Sequence, residues 1–225
     1  MVRTKLHNIY IIMYHYIKEK KNNNFANLNY LEFKEFRRQI NFFKKKFNIL
    51  DNNQFCEILY SKKIPKKKSV LLTFDDGYYD HYNYVYPELV KNKISGLFYP
   101  TVETIENNVL LDVNKIQLIL EKEKNRDKLL ENIFKLINNL KNKQKIISDI
   151  SKIKLKSRWD DKKTVLIKRL LQYYLPKKIR NLILEKLYNE IVSIDEKILS
   201  KTFYINKKHI KEMHSNGMTF GGHGH

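Results

Sequence analysis

The sequence predicts an α/β fold built on a parallel sheet, and three stretches carry that prediction. Ser69-Val70-Leu71-Leu72-Thr73-Phe74-Asp75-Asp76-Gly77 is a short apolar run that stops at two acids and a glycine. That is the pattern of a buried strand delivering charge to the rim of a sheet. Beyond Gly77, Tyr82, Val85, Tyr86, Leu89 and Val90 keep helical spacing, and Ile94 to Tyr99 then reads as a strand broken by Pro100 and Thr101. A strand–helix–strand unit implies a parallel pair with a right-handed crossover. From Asp112 to Ser200 the apolar residues instead ride on lysine- and glutamate-rich helices, which reads as a large helical insertion, 112–200, packing beside the sheet.

The remaining elements follow in order. Asn8 to His15 is rich in β-branched and aromatic residues and reads as a first buried strand. Lys20 to Asn29 is a polar loop; Phe33, Phe36, Ile40, Phe43 and Phe47 then recur at helical spacing. A short helix is expected over Asn53 to Tyr60, before a lysine-rich turn containing Pro65. Within the insertion, Lys162 to Tyr174, Lys177 to Glu190 and Ile194 to Leu199 are helical, with Asp160 and Asp161 beside Trp159 at a helix N-terminus. A helix from Asn206 to His214 ends at Ser215-Asn216-Gly217, a good C-cap sequence, and Met218-Thr219-Phe220 is a further strand leading to Gly221-Gly222-His223-Gly224-His225.

Composition sets the outer limits. With 225 residues, 42% of them hydrophobic, the chain is long and apolar enough for a substantial core. Its longest apolar stretches, such as Ile9 to Tyr14, are far short of a membrane span. The N-terminal segment lacks a small-residue cleavage site, and a cytoplasmic location is expected. The single cysteine, Cys56, excludes an internal disulfide and a cysteine-based zinc cage. The net charge of +20 is spread along the chain, and no stacking-aromatic motif accompanies it, so no nucleic-acid partner is expected. Lysine-rich stretches such as 62–68 leave weak association with an anionic membrane surface open.

The chemistry concentrates at two strand ends. Adjacent acids such as Asp75 and Asp76 repel each other unless a cation or a proton sits between them. Asp-Gly is also a strong turn signal, so a solvated turn is the competing reading. His223 and His225 stand at the end of another strand among glycines that admit close backbone approach. Asp oxygen and His nitrogen together suit zinc and other divalent first-row ions. A plain histidine-rich tail is the rival reading for that pair. His15 ends the first strand and either lines the pocket or is structural. His7, His81, His209 and His214 read as surface or satisfied core residues.

Thr73-Phe74-Asp75-Asp76-Gly77 resembles the first motif of the NodB-type polysaccharide deacetylases, a carbohydrate esterase family. Met13-Tyr14-His15 looks like the end of that family's opening strand, and Glu212 to His223 like the approach to its second motif. The resemblance covers residues 5–105 and 205–225 and implies a single domain, 1–225. Its fold would be a partial distorted parallel (β/α) barrel, truncated to the N-terminal part. It implies hydrolysis of an N- or O-linked acetyl group from an acetylated saccharide, with a divalent metal, zinc before cobalt, nickel or manganese. Carried over, Asp75 is the catalytic base and Asp76 and His223 are metal ligands, while His15 stays either a substrate-side residue lining the pocket or a structural one. The family's second histidine falls two residues past His225, which makes His225 an off-spacing candidate for the same ligand position. The alternative is a catalytically incomplete or non-catalytic barrel half that binds glycan or a partner.

Overall fold

The computed structural model describes residues 8–19, 29–61, 65, 67–140, 143–150 and 152–224. In chain order it begins with β1 (Ile9–Tyr14), β2 (Ile17–Lys18), β3 (Leu31–Glu32), α1 (Phe33–Lys46), β4 (Asn48–Ile49), α2 (Asn52–Ser61) and β5 (Ser69–Asp76). A π-helical turn over His81–Val85 leads into α3 (Tyr86–Lys91), followed by β6 (Leu97–Pro100) and α4 (Val102–Asn107). Then come α5 (Asp112–Lys122), α6 (Arg126–Asn138), α7 (Lys143–Ile150), α8 (Lys162–Arg169) with a π-helical end, and α9 (Lys177–Ile191). The chain closes with α10 (Glu196–Phe203), α11 (Lys207–Ser215) and β7 (Thr219–Phe220). Two units divide it: Met1–Val109 with Glu196–His225, and Leu110–Asp195.

The first unit is organised by its sheet. The order is β1-β5-β6-β7, every pairing is parallel, and β4 pairs the start of β5. Side chains alternate across a strand, so Val70, Leu72 and Phe74 enter the main core with Phe36, Ile40 and Phe43 of α1. Leu71 enters a smaller cluster with Leu50 and Leu97 on the other face. The register places Tyr14, Phe74, Phe98 and Phe220 side by side across four strands. Their rings stack in sequence with centroids 5.3, 4.7 and 5.6 Å apart. A one-residue slip would turn every ring to the other face, so this ladder fixes what each strand presents at its next residue. Those next residues are His15, Asp75, Tyr99 and Gly221.

Several boundaries differ from the sequence reading. The strand expected from Ile94 begins at Leu97, and it continues through Pro100 instead of breaking before it. Proline cannot donate to the ladder, but the Pro100 carbonyl accepts from the His223 N–H at 3.2 Å, and only that acceptor is needed there. The β2–β3 ribbon, β4 and α4 were not anticipated, and the helix expected from Ile194 runs instead from Glu196 to Phe203. The strands form an open parallel sheet among the described residues; closure into a barrel is not observed.

The second unit is helical. It buries Ile116, Leu118 and Ile119 of α5, Leu129, Ile133 and Ile137 of α6, and Ile183, Leu184 and Leu187 of α9. Two of its helix starts are capped by side chains, the second at the acids beside Trp159 as the sequence suggests. Asn125 accepts from Asp127 and Lys128 N–H, and Asp161 accepts from Lys163 and Thr164 N–H.

Candidate active site

Strand β5 runs through both acids, and the backbone then turns sharply off the sheet. Asp76 and Gly77 both take positive φ, 69° and 68°. Left-handed backbone is costly for a residue with a Cβ, although Asp tolerates it better than most. At Gly77 a Cβ would also lie 2.6 Å from Pro100 Cβ, so glycine is required twice over. The competing solvated-turn reading of Asp75-Asp76-Gly77 does not fit, because the side chains of the two acids are only 15% and 11% exposed.

Around these carboxylates the structure gathers two of the predicted residues, His223 and His15, and adds Tyr78. His223 Nε2 lies 3.8 Å from Asp75 Oδ2 and 3.8 Å from Asp76 Oδ1. His15 Nε2 lies 3.9 Å from Asp76 Oδ2, which also accepts a 2.8 Å hydrogen bond from the Tyr78 hydroxyl. Burial raises the Asp75 carboxyl above the ordinary carboxylate range; His15 and His223 pull it down, and Asp76 pushes it further up. His225 lies outside the described residues, as does His7.

His223 is oriented by its other nitrogen. Nδ1 stands 2.7 Å from the Gly224 carbonyl, which can only accept, so in the neutral ring Nδ1 carries the proton. The Nε2 lone pair then faces two carboxylates at a distance too long for hydrogen bonding. That is a repulsive arrangement with nothing between the groups and a favourable one with a cation there. Two ligands on one zinc ion, each about 2 Å from it, stand about 3–3.5 Å apart, close to the 3.8 Å separation of Asp76 and His223. Two ligand positions therefore fit. A full set is not present, since among the described residues no group of three or more His, Cys, Asp and Glu could hold a metal ion.

Three residues around the site were not singled out from the sequence for these roles. Tyr78 is buried, and burial holds its phenol well above the usual value. Its position two residues after the acid pair was the available signal. Tyr99 is the cross-strand neighbour of Asp75, and its ring occupies the space a Gly221 side chain would fill, 2.7 Å from an added Cβ. His81, expected on the surface or as a satisfied core residue, is fully buried, which lowers its pKa to about 4. The neutral ring must donate from Nε2 to the His15 carbonyl at 2.7 Å, and Nδ1 is left without a hydrogen-bond partner. His81 thereby tethers the backbone that carries His15.

Residues 62–151 match the family model described as polysaccharide deacetylase. That match starts before β5 and ends inside the helical unit. No curated protein matches. Among solved structures, IcaB from Ammonifex degensii aligns at 22% identity over 44% of this chain and 41% of its own, with a TM-score of 0.39. A de-N-acetylase from Aggregatibacter actinomycetemcomitans aligns at 23% identity over 46% and 42%, with a TM-score of 0.39. The Streptococcus pyogenes deacetylase PplD, in complex with acetate, aligns at 27% identity over 52% and 53%, with a TM-score of 0.41. The chain spans about half the length of these proteins or less. Among the described residues no helix is long and apolar enough to cross a membrane.

Proposed function

We propose that this chain takes part in the metal-dependent hydrolysis of an acetyl group from a carbohydrate. The observation that carries the reading is the convergence of Asp75, Asp76 and His223 from two strand ends, with His15 beside them. Asp76 and His223 would hold a divalent cation, zinc by the mixed oxygen and nitrogen donor set. Such an ion, when bound, supplies Lewis acidity and lowers the pKa of water. Asp75 is the base that takes the proton of the attacking water. Its raised carboxyl pKa gives it more proton affinity than an ordinary aspartate, while the nearby histidines favour its ionised form.

The other residues serve these three. The Tyr78 hydroxyl holds Asp76 Oδ2 and leaves Oδ1 toward His223. The Gly224 carbonyl fixes the His223 tautomer. His15, 45% exposed at its side chain, lines the open side where an acetylated sugar would enter. The helical residues 112–200 are read as an insertion within one deacetylase domain whose strands form part of a barrel.

A second reading is favoured because among the described residues no third ligand joins Asp76 and His223. On that reading the chain is incomplete as a catalyst and binds glycan without turning it over. Acetate release from an acetylated chito-oligosaccharide, with and without added zinc or cobalt, separates the two. Metal-dependent release that disappears in Asp75→Asn supports the enzyme. Saturable glycan binding without release supports the second reading.

A further inference from the structure

The helical unit carries a surface that the proposed deacetylation does not use. Over residues 152–159, between α7 and α8, Ile153 is buried while Lys152, Lys154 and Lys156 are exposed, followed by exposed Arg158 and Trp159. The side chain at the tip is Trp159, 80% exposed. The tip is held in shape: Ser157 Oγ accepts from both the Trp159 and Asp160 N–H groups at 3.1 Å. The Arg169 guanidinium donates to the Lys156 carbonyl at 3.3 Å. Nearby acids are already engaged. Asp160 pairs with Lys168, Asp127 with Lys163 and Asp149 with Lys152, while among the described residues no acid pairs with Lys154, Lys156, Arg158 or Lys162.

We propose that segment 152–163 is a docking surface for an anionic phospholipid membrane, with Trp159 entering the interface and Lys154, Lys156, Arg158 and Lys162 meeting the headgroups. Uncompensated cations on a preformed loop complement a negative surface. Indole is the side chain best suited to the boundary between headgroups and acyl chains. Arg158 sits over one face of the Trp159 ring at 4.9 Å, so the loop presents a cation and the indole together.

Trp159 is the only tryptophan in the chain and therefore reports on its own insertion. The full chain is titrated with vesicles of phosphatidylcholine containing about one third phosphatidylglycerol, with pure phosphatidylcholine vesicles and with a single-stranded oligonucleotide. Anionic vesicles should shift Trp159 emission to the blue, brominated lipid should quench it, and added salt should reverse both. The triple variant Lys154→Gln, Lys156→Gln, Arg158→Gln should lose about a hundredfold in vesicle affinity, with an unchanged circular dichroism spectrum because all three side chains are exposed. Failure to bind anionic vesicles overturns the proposal. So does binding that leaves Trp159 emission unmoved and is indifferent to the triple substitution. Tighter binding to the oligonucleotide than to the vesicles, lost in the same variant, reassigns the surface to nucleic acid and also overturns it.

Discussion

The chain contains the dipeptide Asp-Asp at Asp75-Asp76 and again at Asp160-Asp161, and the two pairs have opposite physical fates. At the start of α8 each acid has an ordinary partner. Asp160 accepts from Lys168 at 2.7 Å, and Asp161 accepts from the Thr164 hydroxyl and caps the helix through Thr164 and Lys163 N–H, which together hold its pKa below the usual range. At the end of β5 the same residues are mostly buried, their nearest cationic partners are histidine rings at 3.8–3.9 Å, Asp76 accepts from the Tyr78 hydroxyl, and Asp75 is pushed above the usual range. Charge that is compensated where it stands is structural. Charge that is buried, crowded and short of a cation points to a missing ligand.

The sharpest way to break that contrast is to neutralise one acid of each pair. Asp75→Asn should lower acetate release by about a thousandfold, within the range for loss of a general base, whereas Asp160→Asn should leave release within about twofold. Equal losses would remove the distinction. Next in size is the proton linkage of His81, which the helical unit has no counterpart for among its described residues. Its folded pKa of about 4 lies below the ordinary 6.5. The stability it contributes is therefore fully present above pH 6.5 and is lost as pH falls toward 4, on the order of 3 kcal/mol. Asp80, raised to about 6 by burial, contributes with the opposite sign: its share is present below pH 3.8 and lost as pH rises through 6. Denaturant unfolding across this range should show His81→Asn losing the acid-side slope.

Smaller effects test the supporting residues. Tyr78→Phe removes the hydroxyl that holds Asp76 and should weaken zinc binding by about ten- to a hundredfold without unfolding the protein. Asp161→Ala removes a helix cap and should cost about 1 kcal/mol of stability while zinc affinity and acetate release stay unchanged. A cap variant that altered metal binding would contradict the separation drawn between the two acid pairs.

Much of this was legible in the sequence where periodicity carries the signal. The apolar run before Asp75, the Phe33-to-Phe47 stripe and the β-branched run ending at His15 fall in elements close to those observed. Two-residue strands such as β4 have no alternation to read. Pro100 misled because its missing donor suggests a strand end, while the sheet there uses only its carbonyl. The Tyr99–Gly221 fit depends on a register between strands far apart in sequence, and no local pattern encodes it. His81 was grouped with unremarkable histidines because its burial follows from the packing of Phe74 and Phe98 around it. The site acids and His223 were found through their motif, and their convergence required the sheet order.

Calorimetric zinc titration of the full chain is the direct test of whether Asp76 and His223 hold a divalent cation beside Asp75. One zinc should bind the parent protein, Asp76→Ala and His223→Ala should each weaken that binding at least tenfold, and Asp75→Asn should retain it. Zinc affinity that is unmoved by Asp76→Ala and His223→Ala would contradict the account.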